Sequence, residues 1–286
     1  MTKKRVEVDG RTAFVSGAAS GMGRAVALRL AAHGCPVAIV DQDEDGLRET
    51  TELISGPVLA RTLDVRDRHA QMAFAAEVDE WAPTPLGMVL NNAGVGTSQS
   101  IADGSVEDDE WVLDINLGGV INGTRAFLPI LLRQDSGVIV NTSSVFGLVG
   151  IPFQSAYCTS KFAVRGFTES LRHELRATGV SAVTIHPGGV KTNIARNARY
   201  HAHPMEPGLS HEEAATRFEA MCFTTPERAA KIIHEGVEAG RSRVLVGPDA
   251  YVFDALARLA PTRYFDALSL LEGLSARRGS RSGAPS

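Results

Sequence analysis

The sequence lacks most of what would mark a secreted, membrane-spanning or nucleic-acid-binding chain. Its 286 residues hold only three cysteines, Cys35, Cys158 and Cys222, far apart and without a CxxC pair. An odd, scattered set argues against a disulfide framework and for reduced, buried thiols in a cytoplasmic compartment. Residues 1–10 are charged and have no apolar core segment, so no signal peptide is expected. No apolar run approaches the ~18 residues of a membrane span. The net charge is −4 with no basic stripe, which excludes a nucleic-acid footprint. There are no internal repeats. The eight histidines show no HxxEH-type spacing. His201-x-His203 is the nearest approach to a metal pair, and no third or fourth ligand lies nearby, so no metal site is expected.

What is present suits one globular α/β domain. Hydrophobic residues make up 44% of the chain and charged residues 22%, enough to build a large core. Short β-branched runs alternate with longer helical stretches. Thr12–Ser16, Val37–Val40, 58–63, 87–90, Val138–Asn141 and 180–185 read as buried strands, as parallel strands covered on both faces should be. A late strand is expected at Arg243–Val246. Between them lie helical patterns. After Tyr157, Phe167, Leu171 and Leu175 recur every four residues as a one-faced stripe. Thr225-Pro226 reads as a helix start, with Thr as N-cap and Pro in the first turn, followed by the stripe Ala230, Ile233, Val237. This alternation implies βαβ units in a doubly wound, Rossmann-like parallel sheet with helices on both faces, whose ligands bind beyond the carboxyl ends of the strands.

The first strand runs into Ser16-Gly17-Ala18-Ala19-Ser20-Gly21-Met22-Gly23 and then an Ala/Leu-rich helix. A glycine-rich turn opening a helix lets backbone approach a pyrophosphate, and the helix N-terminus supplies free N–H groups. Gly17, Ser20, Gly21, Met22 and Gly23 are therefore candidate cofactor contacts. Asp41 ends the second strand. An acidic side chain there accepts from ribose hydroxyls and repels a 2′-phosphate, which favours NAD over NADP.

Tyr157 and Lys161 lie four apart and share a face if helical. An ammonium beside a phenol favours the phenolate, lowering its pKa from about 10. The tyrosine then serves as general base for alcohol oxidation or general acid for ketone reduction. Thirteen residues upstream of the tyrosine, Ser143-Ser144 follow an apolar strand, where a hydroxyl can bond a substrate oxygen.

With these residues in hand, the chain resembles the short-chain dehydrogenase/reductase family across roughly residues 9–247. Five motifs agree in order: Gly17-xxx-Gly21-x-Gly23, Asn91-Asn92-Ala93-Gly94, Asn116, Ser144 with Tyr157 and Lys161, and Pro187-Gly188. The resemblance implies that Tyr157 is the acid/base, that Lys161 tunes it and holds the nicotinamide ribose, and that Ser144 rather than Ser143 polarises the substrate oxygen. It implies that Asn116 holds a water on a proton relay. Asn92, with Ala93 and Gly94, would line the cofactor site; Asp64 and Val65 would meet the adenine; Val190 and Thr192, after Pro187-Gly188, would hold the carboxamide. Ser16 stands where the family usually has Thr and keeps the hydroxyl.

Residues 193–224, with Tyr200, Met205, Leu209, Phe218, Met221 and Phe223, match the family's substrate lid, and such side chains suit a bulky apolar substrate. Residues 248–275 show apolar spacings of three and four (Val252, Phe253, Leu256, Leu259, Phe265, Leu268, Leu271). They would floor the pocket, meet another subunit or, least favoured, lie on a membrane surface. Residues 276–286 read as a solvated tail. The expected activity is NAD-dependent hydride transfer to or from a hydrophobic secondary alcohol or ketone (steroid-, terpenoid- or aryl-type). An NADPH-dependent carbonyl reductase and a non-catalytic dinucleotide sensor are the alternatives. The family also implies a homo-oligomer, a dimer or tetramer.

Overall fold

The computed structural model describes residues 5–201 and 208–266. Nine strands and nine α-helices follow in chain order among them. They are β1 (Thr12–Ser16), α1 (Gly21–Ala32), β2 (Val37–Asp41), α2 (Glu44–Leu53), β3 (Val58–Thr62), α3 (Arg68–Trp81), β4 (Leu86–Asn91), β5 (Thr97–Ser98), α4 (Val106–Leu113), α5 (Gly119–Gln134), β6 (Gly137–Thr142), α6 (Ser155–Glu174), β7 (Val180–Pro187), β8 (Arg199–Tyr200), α7 (His211–Met221), α8 (Pro226–Glu238), β9 (Arg243–Val246) and α9 (Pro248–Leu259). Seven strands form one parallel sheet in the order β3-β2-β1-β4-β6-β7-β9. The order reverses between β1 and β4, which is where such sheets open a crevice at their carboxyl ends.

The helices divide the core into two layers. On one face Ala25, Val26 and Leu30 of α1 and Ala230, Ile233 and Val237 of α8 pack over Val15, Ile39 and Val140. On the other, Phe74, Phe127, Ile130 and Leu171 from α3, α5 and α6 cover Phe14, Val89 and Ile139. Phe14 centres that second layer, its ring 4.2 Å from Phe127 and 6.1 Å from Phe74. The central strands are buried on both faces, hence their continuous apolar runs.

Three expectations change. β3 is not a buried strand: it is the sheet's edge, and Ala60, Arg61 and Thr62 are exposed. Of the expected stripe, Leu171 and Leu175 are buried in the core and Phe167 is only half-buried; the same face of α6 also buries Lys161, Val164 and Thr168. Third, α4 and α5 are joined through a π-helical turn, Asp114–Gly118, into one continuous helix. Val106–Gln134 is long and apolar enough by length and composition to cross a membrane, but half of its most apolar window is buried inside the fold. It packs against α3 and α6 as a core helix. The start of α8 is as expected, with Pro226 in its first turn and Thr225 Oγ1 accepting from Arg228 N.

Phe127 is fully buried against the Phe14 ring. Phe127→Ala is expected to lower unfolding stability by about 3–5 kcal/mol, through lost burial and the cavity left behind. Urea denaturation measures this; a loss below about 1 kcal/mol would contradict the packing described.

Candidate active site

The turn after β1 is shaped for a close approach to a ligand. Gly17 and Gly21 adopt φ of +69° and +54°, a region unfavourable to side chains. A Cβ on Gly23 would stand 1.9 Å from Gly17 O, so the helix can only begin against the turn with glycine there. Ser16 Oγ accepts from Asn92 N (3.0 Å) and Ala93 N (3.1 Å), and Asn92 Nδ2 donates to Ser16 O (3.1 Å). These bonds tie β1 to the end of β4 across the sheet's reversal. Ser20 caps α1 with no side-chain hydrogen bond, and no acidic residue occupies the first turn. The amides at that terminus are therefore open to an anion. Met22 packs partly into the core beneath.

Around this cradle the other expected residues gather. Asp41, at the end of β2, accepts from Ala19 N through Oδ2 (2.9 Å) and from Asp43 N through Oδ1 (3.1 Å). Its carboxylate is thus fixed against the glycine turn. The basic residue nearest the turn, Arg24, donates to Ala19 O within the turn and to Gly46 O (3.0 Å), Thr50 Oγ1 (2.8 Å) and Glu49 (2.9 Å). On the opposite wall, a Cβ on Gly21 would meet the Thr192 methyl at 3.1 Å. The segment after β7 is held in place by Gly188 N donating to Val246 O (2.9 Å), Lys191 N donating to Thr224 O (2.9 Å) and a bridge between Val190 and Thr224. Val190 itself is buried in the core, so it offers main chain rather than side chain. Pro187 ends β7 within the sheet. Asp64 and Val65 are less free than expected. The Asp64 carboxylate is gripped by Arg66, which holds its pKa below the usual carboxylate range. Val65 is buried against Gly119, and its carbonyl accepts from Asn122 (3.2 Å).

The chemical centre lies on α6 and the strand ends behind it. Ser144 stands close enough to Tyr157 for its hydroxyl to lower the phenol's pKa, and its Oγ accepts from Phe146 N (3.1 Å). Lys161 Nζ stands 5.4 Å from the Tyr157 ring centroid and donates to Thr142 O at 3.1 Å. Tyr157 keeps part of its surface accessible, whereas Lys161 is buried. Burial pushes the phenol up to about 12, against the lowering effect of Ser144. Burial lowers Lys161 to about 8. In the protein alone desolvation therefore sets the phenol's pKa, in the direction opposite to the lowering expected from the ammonium. Ser143 turns the other way, donating to Lys161 O (2.7 Å). Of the two serines only Ser144 faces the tyrosine.

Asn116 lies in the π-helical turn. Its side chain bonds Val95 N (2.8 Å), Val95 O (3.0 Å) and Ser160 Oγ (3.1 Å). Both amide hydrogens are engaged in tying the loop after β4 to α6, while Oδ1, which accepts from Val95 N, keeps a second lone pair. Gly94 is the space between: a Cβ there would lie 3.1 Å from Asn116 Oδ1 and 3.3 Å from Lys161 Nζ.

The lid is more anchored than a loop. β8 pairs with β5, pinning Arg199–Tyr200 to the segment after Gly94. Tyr200 stacks on His211 (5.2 Å, 6°) and donates to Leu209 O. Met221 and Phe223 are exposed; Met205 and His203 lie outside the described residues. His201 pairs with Asp108 at 2.7 Å. The C-terminal extension reaches the active-site loop. Phe146 packs edge-on to Tyr157 (6.3 Å) and to Phe253 of α9 (6.1 Å), and Gly150 N donates to Tyr264 Oη (3.0 Å). Val252 and Leu259 are exposed, so the expected apolar stripe is only partly used. Leu268, Leu271 and the tail lie outside the described residues.

Several supporting residues escaped the sequence reading. Asn91 and Asn141 are partners in register and bond each other (2.8 Å). Asn91 reaches Thr124 on α5 and Asn141 reaches Thr168 on α6, locking both helices to the strand ends. Asp249 of α9 accepts from Gly189 N and lies where a Gly188 Cβ would be. Polar residues ending apolar strands were the available signal for the first pair. Asp249 offered none, being 60 residues from its partner.

Comparison with known proteins agrees with this geometry. The family description for short chain dehydrogenases matches residues 11–202. The chain is 40% identical over 262 residues to the oxidoreductase SadH of Mycobacterium tuberculosis, covering 90% of this chain and 93% of that protein. A short chain dehydrogenase/reductase from Burkholderia phymatum in complex with NAD superposes with a TM-score of 0.80 at 31% identity, over 88% of this chain and 94% of that one. The closed form of a serine dehydrogenase complexed with NADP+ gives a TM-score of 0.73 at 25% identity, over 83% and 95%. With a matching family description over most of its length, a full-length relative and the shared fold, the chain belongs to the short-chain dehydrogenase/reductase family of oxidoreductases.

Proposed function

We propose that the protein is an NAD-dependent dehydrogenase or reductase acting on a bulky, hydrophobic secondary alcohol or its ketone. The observation that carries this reading is Lys161, buried with its Nζ 5.4 Å from the Tyr157 ring centroid, beside Ser144 and the glycine cradle at the neighbouring strand end. The cradle fits a dinucleotide: glycine occupies the positions a Cβ would fill, and the terminus of α1 is uncapped. Gly17, Ser20, Gly21 and Gly23 would hold the pyrophosphate, Asp41 the adenosine ribose, and Thr192 with the main chain of Val190 the carboxamide. Bound there, a nicotinamide dinucleotide supplies the hydride acceptor or donor.

The chain's own groups handle the proton and the substrate oxygen. Ser144 orients that oxygen toward the tyrosine. With its pKa near 12, the phenol holds its proton at neutral pH and is ready to donate it in ketone reduction. In alcohol oxidation it must accept a proton, and the charge of Lys161 favours the phenolate that does so. Asn116 and Ser160 fix α6, and hence both side chains, against the loop after β4. The aromatic line from Tyr157 through Phe146 to Phe253 supports an apolar substrate. The NAD preference rests on Asp41, fixed beside the turn with Arg24 held by Ala19 O, Thr50 and Glu49, since solved relatives carry either dinucleotide. The three buried free thiols suit a reducing, cytoplasmic setting.

Three measurements test this reading. Tyr157→Phe is expected to lower kcat by about 10²–10⁴ while NADH still quenches intrinsic fluorescence with unchanged affinity. Retained turnover would refute the acid/base role. Asp41→Ala should cut the ratio of kcat/KM with NAD to that with NADP by about tenfold or more, a difference of about 1.4 kcal/mol in binding; an unchanged ratio would remove the basis for NAD preference. The third concerns pH. Lys161 titrates at about 8 when folded against 10.5 unfolded, so between those values the unfolded chain binds the extra proton and folding stability rises with pH. The stability of the wild type relative to Lys161→Met should therefore increase from about pH 7 to about pH 10, followed by denaturant unfolding. A flat or falling difference would contradict the burial of the amine.

A further inference from the structure

The end of the sheet remote from Tyr157 holds a second cluster of reactive side chains that plays no part in the chemistry above. Residues 6–10 cross the carboxyl ends of α1 and α8 there. Val6 N donates to Glu238 O (3.2 Å), Gly10 N to His33 O (3.2 Å) and Cys35 Sγ to Val8 O (3.3 Å). This brings Asp9 between His33, the C-cap of α1, and His234, in the last turns of α8. Asp9 Oδ1 lies 3.1 Å from His33 Nδ1 and 3.1 Å from His234 Nε2. The three ligand atoms fall within 4.8 Å of one another. Glu238 Oε1 stands 3.9 Å from the same His234 nitrogen.

We propose that Asp9, His33 and His234, completed by Glu238 or water, form a structural site for a divalent transition-metal ion of the zinc type. Three features carry it. First, His234 is 1% exposed, its Nδ1 has no hydrogen-bond partner, and its Nε2 stands 3.1 Å from Asp9 Oδ1 without hydrogen-bond geometry. A buried imidazole in that state is costly unless something fills the gap. Second, the spacing is that of ligands about an ion. Bonds of about 2.0–2.1 Å in tetrahedral geometry set neighbouring donors about 3.3 Å apart, close to both Asp9 separations. The donor set of two imidazoles and one or two carboxylates suits zinc and its neighbours rather than magnesium or calcium. Third, the site lies at two helix carboxyl ends, whose partial negative charge favours a cation. One group opposes: Arg29, a turn before His33, but it reaches toward Glu235 (3.8 Å).

Asp9, His33 and Glu238 are partly exposed, giving the ion an entry path. Once bound, it would staple the chain leading into β1 to both α1 and α8. The ligands are 24 and 201 residues apart along the chain, which is why no local spacing announced them.

The test uses full-length protein stripped with EDTA and titrated with zinc chloride by calorimetry, alongside cobalt chloride followed by visible absorption. One equivalent should bind, the cobalt form should show the intense visible bands of four-coordinate ligation, and zinc should raise the melting temperature. Asp9→Asn and His33→Ala, at partly exposed positions that leave the core intact, should each weaken binding about tenfold or more and abolish the thermal shift. Absence of stoichiometric binding would overturn the proposal. So would equal affinity in both variants, which would place the ion elsewhere.

Discussion

Everything at the catalytic end depends on keeping a lysine amine buried next to a phenol. An ammonium taken out of water is costly unless it is bonded, and Lys161 finds only Thr142 O, at 3.1 Å, from the end of β6. Its pKa falls to about 8 and that of Tyr157 rises to about 12. The fold holds both groups in a setting neither would choose alone. It does so through polar bonds at the strand ends: Asn91 with Asn141, Asn141 with Thr168, Asn116 with Val95 and Ser160, and Ser143 with the Lys161 carbonyl. Together they fix α6 relative to β4 and β6. The chemistry thus depends on groups that never touch a substrate.

The glycine turn follows the same logic on the other side of the crevice. Helix α1 can begin where it does only because Gly23 has no side chain to strike Gly17 O. The resulting open amides face a wall formed by Thr192. That wall is itself held by Thr224 and Asp249, so the C-terminal third of the chain holds both the segment after β7 and, through Phe253 and Tyr264, the loop from Phe146 to Gly150.

Much of this was legible in the residues because the features are local. A strand–glycine–helix junction, a tyrosine and lysine four apart, and a serine at a strand end all report their geometry through short spacings. β1 and β9 were placed to the residue, since turn signals bound them. What escaped was set by contacts distant in sequence or by exposure. β3 reads as apolar in its first residues, yet only its position at the edge of the sheet decides that it is exposed. The stripe held at Leu171 and Leu175 but not fully at Phe167, and Lys161 and Thr168 occupy buried positions that a polarity pattern assigns to solvent. Asp249, His33 and His234 gave no signal, since their partners come from elements brought together only by the sheet.

The central claim is that the Tyr157 phenol is a buried proton store whose affinity the site can lower. It is tested most directly by carbon-13 NMR on protein labelled at tyrosine Cζ, titrated with and without NAD. The account predicts a Tyr157 resonance that stays protonated to about pH 12 in the free protein and titrates at markedly lower pH once the positively charged nicotinamide is bound. A resonance titrating near 10 in both states, as an exposed phenol does, would contradict it.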